Sequence, residues 1–329
     1  MDNDVSFSSA DHSSTRAECI SAMRDRKAAE NEMKLSRILS SVDADTARTL
    51  KRGKECGQWL SCVPSDVNGT ELSAEEFRTN LHLRYARTPG DLPKKCDGCG
   101  ARFTIQHSLQ CKTGGLVIIR HDEVANELMD LAQKALSKSA VRVEPLIHTD
   151  SAETSKIVAQ EPESGTQSDD NQPSNHSEND GKRGDVLVRG LFQNGMHSVI
   201  DVRVTDLDSA SYKRTAPEKV LARQEKEKKT KYLEPCLQQR KSFVPFVVST
   251  DGMLSYEAQN LVRRSSRTLA GKWEMPYSQV CNLVRTRLSI AIARATTLCV
   301  RGSRVPASRI SRRIQWEDGA GVGLLETDY

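Results

Sequence analysis

The stretch from Gly184 to Val204 constrains this chain more than any other. Gly184-Asp185-Val186-Leu187-Val188 and Val199-Ile200-Asp201-Val202-Arg203-Val204 are short β-branched apolar runs, and Phe192-Gln193-Asn194-Gly195-Met196 between them carries an Asn-Gly turn signal. Together they predict a β-hairpin. Asp185 opens the first strand and Asp201 interrupts the apolar run of the second, where a carboxylate is costly to desolvate unless something pairs with it. A shared divalent cation is one such partner. Carboxylate oxygen suits hard Mg²⁺, which keeps several waters and can present one to a phosphodiester as a nucleophile. The plainer alternative is a pair of strand-end or surface aspartates, the commoner situation in an arbitrary hairpin.

A second constraint lies upstream. Cys96-Asp97-Gly98-Cys99, then His107 and Cys111, give the spacing C-x2-C-x7-H-x3-C. Two cysteines on a tight glycine turn, followed by His and Cys four apart on one helical face, can place one nitrogen and three sulfurs tetrahedrally around Zn²⁺. With all four positions filled by protein, such a site is structural. Reduced core cysteines are the alternative. The chain has 9 cysteines, an odd number, and Cys19, Cys56, Cys62, Cys236, Cys281 and Cys299 are scattered singly, which argues against a secreted disulfide framework. His121, beyond Cys111, reads as a helix-start or supporting group and not as a fifth ligand.

The remaining elements follow from periodicity and caps. Thr15 to Leu39 and Asp43 to Cys56 predict helices, and Ser73-Ala74-Glu75-Glu76 opens a third with a capping-box pattern that runs to about Tyr85. Residues 1–92 are therefore read as a helical N-terminal region and residues 93–121 as the knuckle. After the apolar run Leu116 to Ile119 come an amphipathic helix, Asp122 to Ser137, and a strand, Ala140 to Ile147, whose Pro145 implies an edge. Between Ser151 and Asp180 seven acidic residues face one lysine, which leaves the rest of a chain of net charge +4 clearly basic. Residues 151–181 are expected to be a disordered insert. Beyond the hairpin, Ala216 to about Arg240 predicts a helix that Pro235 should kink or restart, with Glu227 and Lys231 paired on its surface. The strand Phe243 to Ser249 closes a unit over residues 122–250. Two helices, Tyr256 to Ala270 and Tyr277 to Cys299, then belong to a basic extension, 251–329, containing Arg285, Arg287, Arg294, Arg301, Arg304, Arg309, Arg312 and Arg313. Those arginines suit phosphate contact, or a solvated helix face and tail. No apolar run reaches about 18 residues and the first residues lack an apolar core, so neither a membrane span nor a secretory signal is expected, and the location reads as intracellular.

The order helix, strand, strand, strand, helix, strand, with an acidic residue near the start of the second strand and another within the third, resembles the restriction-endonuclease-like PD-(D/E)xK superfamily. Its α/β fold has an αβββαβ core. With a CCHC knuckle directly upstream, the chain looks like the C-terminal end of a non-LTR retrotransposon polyprotein, in which a zinc knuckle and then an endonuclease follow the reverse transcriptase. Trp59 to Tyr85 is similar to the linker after the polymerase in such elements, and Arg120-His121-Asp122 shares the likeness. The resemblance implies that Asp185 is the PD aspartate and Asp201 the acid of (D/E)xK, together holding a catalytic Mg²⁺, with Glu144 and Glu127 as outer contacts. Gly184 replaces the expected proline. Arg203 stands where lysine is expected, and an always-protonated guanidinium is a poor water activator. In retrotransposon versions the lysine comes from the next helix, in a K-x-x-K-Y pattern that Lys228-Lys229-Thr230-Lys231-Tyr232 matches, and Lys231 is preferred to Lys228. The implied function is a Mg²⁺-dependent DNA endonuclease module that nicks target DNA, with DNA as partner, the element's RNA as a second, and the nucleus as one location. No polymerase palm signature occurs in the chain, so it is expected to supply at most the nick. A non-catalytic nucleic-acid-binding remnant is the competing expectation.

Overall fold

Short runs rich in β-branched residues recur through the middle of the chain, and they build a sheet whose central strands are buried on both faces. The structure, a computed structural model, describes residues 9–53, 56–143, 145–147, 183–192 and 195–305. In order, the helices α1 (Ser9–Ser40), α2 (Ala44–Gly53), α3 (Ala74–Arg84), α4 (Ile105–Gln110) and α5 (Leu116–Ala135) precede strands β1 (Val141–Val143), β2 (Val186–Arg189) and β3 (His197–Thr205). Helix α6 (Pro217–Gln238), strand β4 (Lys241–Ser249) and helices α7 (Tyr256–Trp273) and α8 (Tyr277–Arg301) follow. The architecture is mixed α/β.

The four strands lie in the order β1-β2-β3-β4. Strands β1 and β3 each run antiparallel to β2 between them, whereas β4 runs parallel to β3 and needs α6 as its crossover. Parity along the strands divides the core. Val186, Val188, Ile200, Val202, Val244, Phe246 and Val248 pack on α5, α7 and α8 through residues such as Val124, Leu128, Leu261 and Leu288. On the other face, Leu187, Val199 and Phe243 pack against Tyr232 and Cys236 of α6. The sheet is thus the middle of three layers. The register sets Val186 opposite Ile200, and the Asp185 N–H continues the ladder to the Ile200 carbonyl at 3.1 Å. One step further, Asp185 stands opposite Asp201. Residues opposite one another share a face, and here it is the α6 face.

Several expectations are corrected. Leu116 to Ile119 is the first turn of α5, which starts after Gly115 in the left-handed region at φ 74°. Leu116 packs there against Cys299 and Val300. Helix α6 runs through Pro235 without interruption. Helices α7 and α8 are no extension, because Leu261, Leu269, Val284 and Ile292 belong to the same core as the sheet. Ser73 does form the capping box of α3, accepting from the Glu76 N–H while the Glu76 carboxylate accepts from the Ser73 N–H. Among the described residues no helix is long and apolar enough to cross a membrane. Glu144, Asn194, the acidic insert, Arg309, Arg312 and Arg313 lie outside the described residues.

Candidate metal and catalytic centres

Backbone geometry brings the four knuckle ligands together. The Cys96 N–H donates to the Ala101 carbonyl at 2.8 Å and the Gly100 N–H to the Cys96 carbonyl at 2.9 Å, closing a turn in which Gly100 adopts φ 74°. Thr104 caps α4 by accepting from the His107 N–H at 3.0 Å, and Cys111 is the residue on which that helix ends. The sulfurs of Cys99 and Cys96 each lie 3.9 Å from that of Cys111, and Cys99 lies 3.4 Å from His107 Nε2. A tetrahedron with Zn–S bonds near 2.3 Å has S···S edges of about 3.8 Å. The ligand atoms of Cys96, Cys99, His107 and Cys111 all fall within 4.8 Å of one another, so this cluster can hold a metal ion such as zinc. Burial pushes the Cys96 thiol up, but the Cys99 N–H and His107 outweigh it and bring Cys96 down to about 6, which suits a thiolate ligand.

The knuckle is tied to the end of α8 and to α5. Asp97 accepts from Ser303 Oγ at 2.9 Å and from the Arg304 N–H at 2.7 Å. The buried Arg304 guanidinium donates to the carbonyls of Ser108 at 3.0 Å and Cys299 at 2.5 Å. A side chain at Gly114 would overlap the Arg304 backbone, and Gly114 itself has φ 78°. Arg120 donates to the Leu109 carbonyl at 2.9 Å.

The hairpin aspartates form the second centre. Asp185 Oδ2 accepts from the Val202 N–H at 2.5 Å and lies 3.1 Å from His121 Nε2. His121 Nδ1 in turn lies 3.0 Å from Asp122. Asp201 is only 4 % exposed, and its Oδ2 is contacted by Lys228 Nζ. That contact is an ion pair off the hydrogen-bonding direction, so Oδ2 is a buried oxygen without a directed donor. Burial holds the Asp201 carboxyl above its ordinary range, the nearby Asp185 charge adds to this, and Lys228 opposes it. The Asp185 hydrogen bond raises His121 to about 9 against its burial, so the ring is a cation that donates from both nitrogens.

Four elements therefore converge: α5 supplies His121, the start of β2 Asp185, β3 Asp201 and α6 Lys228. The preference between the two lysines is reversed. Lys231 lies over the Tyr232 ring at 4.8 Å, and Lys228 is the lysine at Asp201. Glu127 is taken up by Arg287 at 2.8 Å and does not serve the site. Glu227 pairs with Arg203 at 2.8 Å, not with Lys231. His121 was missed as a site residue. The signal for it lay in Arg120-His121-Asp122, which the structure uses to tie the knuckle to the aspartates through three successive side chains. Three arginines of α8 are engaged by the protein itself: Arg287 meets Glu127 and Asp130, and nearer the surface Arg294 meets the Glu71 carbonyl and Arg301 Thr79 and the Gly90 carbonyl.

A cavity of about 1120 Å³ lies between α2, α3, the knuckle and the ends of β3 and β4, and includes neither aspartate. Asp185 and His121 instead stand at the surface, with side chains 22 % and 31 % exposed, where a polymer could reach them. Compared with protein-family models and with curated proteins, the chain matches none.

Proposed function

We propose that the chain is a divalent-metal-dependent DNA endonuclease module with a structural zinc knuckle, of the restriction-endonuclease-like kind that ends non-LTR retrotransposon polyproteins. One observation carries this reading: Asp185 and Asp201 stand opposite each other on one sheet face, with Lys228 on Asp201 and His121 on Asp185. The donor set suits a hard cation in kind, because it offers the carboxylate oxygens of Asp185 and Asp201, whose Oδ2 atoms are contacted by His121 and Lys228. Asp185 and Asp201 would hold such a cation, which when bound would supply Lewis acidity and lower the pKa of a water on it.

The chain's own groups do the rest. Lys228 orients the attacking water beside Asp201 and offsets charge gathering on the phosphate. His121, cationic beside Asp185, fixes that carboxylate through Oδ2 and leaves its other oxygen for the cation. Water adds to phosphorus as the bond to the leaving oxygen breaks; the attacking water gives up a proton to solvent and the leaving oxygen takes one up from solvent. A genomic substrate would place the protein in the nucleus.

A second reading, a nucleic-acid-binding remnant, is favoured by a different observation: both carboxylates are already paired with internal cations. Nicking of supercoiled plasmid in Mg²⁺ separates the two. The endonuclease reading expects nicking that falls at least about 100-fold in Asp185→Ala and in Asp201→Ala. Equal nicking by all three proteins would expose a contaminating nuclease, and DNA binding without nicking in Mg²⁺ or Mn²⁺ would leave the remnant.

A further inference from the structure

Arg203, which stands where lysine is expected, has a specific partner. Residues 201 and 203 are two apart on β3, so both side chains leave the sheet toward α6. Asp201 meets Lys228 there, and Arg203 meets Glu227 at 2.8 Å. The two helix partners are consecutive residues. Two ion pairs of opposite polarity therefore cross one strand–helix seam side by side.

This arrangement reads as a register code. Consecutive residues on a helix point about 100° apart, so one rotation of α6 satisfies both pairs. Turning or sliding the helix by one residue one way would bring Glu227 toward Asp201 and Lys226 toward Arg203, two like-charge contacts in place of two attractive ones, and the other way would set Lys228 against Arg203. Arg223, one turn earlier, approaches Glu227 at 3.8 Å and steadies its carboxylate from the helix side. Arg203 and Glu227 are 33 % and 51 % exposed, so their pair adds little to stability. Orientation is the property it controls.

We propose that Arg203 and Glu227 are positioning residues, whose ion pair sets the seat of α6 on β3 that delivers Lys228 to Asp201. Its consequence for catalysis rests on the endonuclease reading, but the seating itself does not.

The test is brief reductive methylation of the full, zinc-loaded chain, with each lysine quantified by mass spectrometry. Lys228 is 20 % exposed and paired, so it should react slowly in the parent protein. Arg203→Met and Glu227→Gln should each raise its rate several-fold while Lys134 and Lys272, held on other elements, keep theirs. Arg203→Lys, which keeps the charge, should stay near the parent. An unchanged Lys228 rate overturns the proposal. So does a rise shared by Lys134 and Lys272, which would mean general loosening. If the parent nicks DNA, the same variants should lower kcat about 10- to 100-fold with KM unchanged, and a change in KM alone would make Arg203 a DNA contact and overturn the positioning role. If the parent nicks nothing but the methylation change appears, the endonuclease reading falls and the seating stands.

Discussion

Lys228 and Lys231 are three residues apart, yet only one serves the aspartates. Lys228 touches Asp201, whereas Lys231 is exposed and lies along Tyr232. Lys228→Met should therefore cut nicking by about 100-fold or more while Lys231→Met leaves it near the parent rate, and single-turnover cleavage of a labelled duplex measures both. Equal losses would place the reactive amine elsewhere. The K-x-x-K-Y pattern could not make this choice, because residues three apart on a helix sit on nearly the same side and the deciding contact lies on a different element, β3. Asp185 and Asp201 were legible for the opposite reason: a carboxylate inside a β-branched run stands out against its own neighbours. A further carboxylate, Asp206, was not singled out. Burial holds it above the ordinary range, against hydrogen bonds from Gln110 and the Asp208 N–H. A raised value in the folded state means that this group's stabilising contribution is full below its unfolded pKa and is lost as pH rises through the folded one. Asp206→Asn should accordingly unfold at higher urea than the parent at neutral pH, with the gap closing as pH falls toward about 4. A gap independent of pH would remove charge burial as its cause.

At the scale of elements, the helix and strand order was readable from period and caps, and the departures have local causes. Leu116 to Ile119 reads only as a short apolar run and falls outside the helix expected from Asp122. It is helical because Gly115 supplies the left-handed turn, Leu116 docks on Cys299 and Val300, and Ile118 can stay 65 % exposed. Pro235 is tolerated because α6 is fastened on both sides of it, by Tyr232 and Cys236 in the core. Gly184 is the sharper case. A Cβ there would overlap Val199 Cγ1 and crowd Ile147, so the position where the PD-(D/E)xK resemblance expects proline has no room for a side chain here. Gly184→Ala should destabilise by about 1–3 kcal/mol through overpacking, read from the urea midpoint at constant m-value. Because Asp185 is the next residue, the same variant should also slow nicking. Full stability in Gly184→Ala would show that β2 can shift away from Val199 at no cost.

Across the whole molecule, the knuckle is a joint. Asp97, Ser108, Arg304 and Cys299 connect it to the end of α8, and Arg120 and Gln110 connect it to α5 and to Asp206 after β3. None of these connections is visible in spacing, since each joins residues far apart in the chain. Zinc removal should therefore lower Tm and speed proteolysis between Gly302 and Val305 as well as within the knuckle, and restored zinc should reverse both. Cleavage confined to the knuckle would mean that α8 holds on its own. The same inward ties change where a polyanion can be gripped. The basic count of α8 pointed there, but Arg287 is paired with Glu127 and Asp130, and Arg294 and Arg301 are engaged by the Glu71 carbonyl and by Thr79 and Glu75. The outward cations are Lys219, Arg223, Lys226 and Lys231 on the exposed side of α6, the helix that also carries Lys228. Each phosphate contact releases condensed counterions, and its loss lowers the slope of log K against log salt by about 0.9 on duplex DNA. Replacing Lys219 and Lys226 together by alanine should thus flatten that slope by about 2, measured by fluorescence anisotropy across a salt series, while Arg294→Met leaves it unchanged. The reverse result would move the gripping surface to α8 and separate DNA binding from the face that holds Asp185 and Asp201.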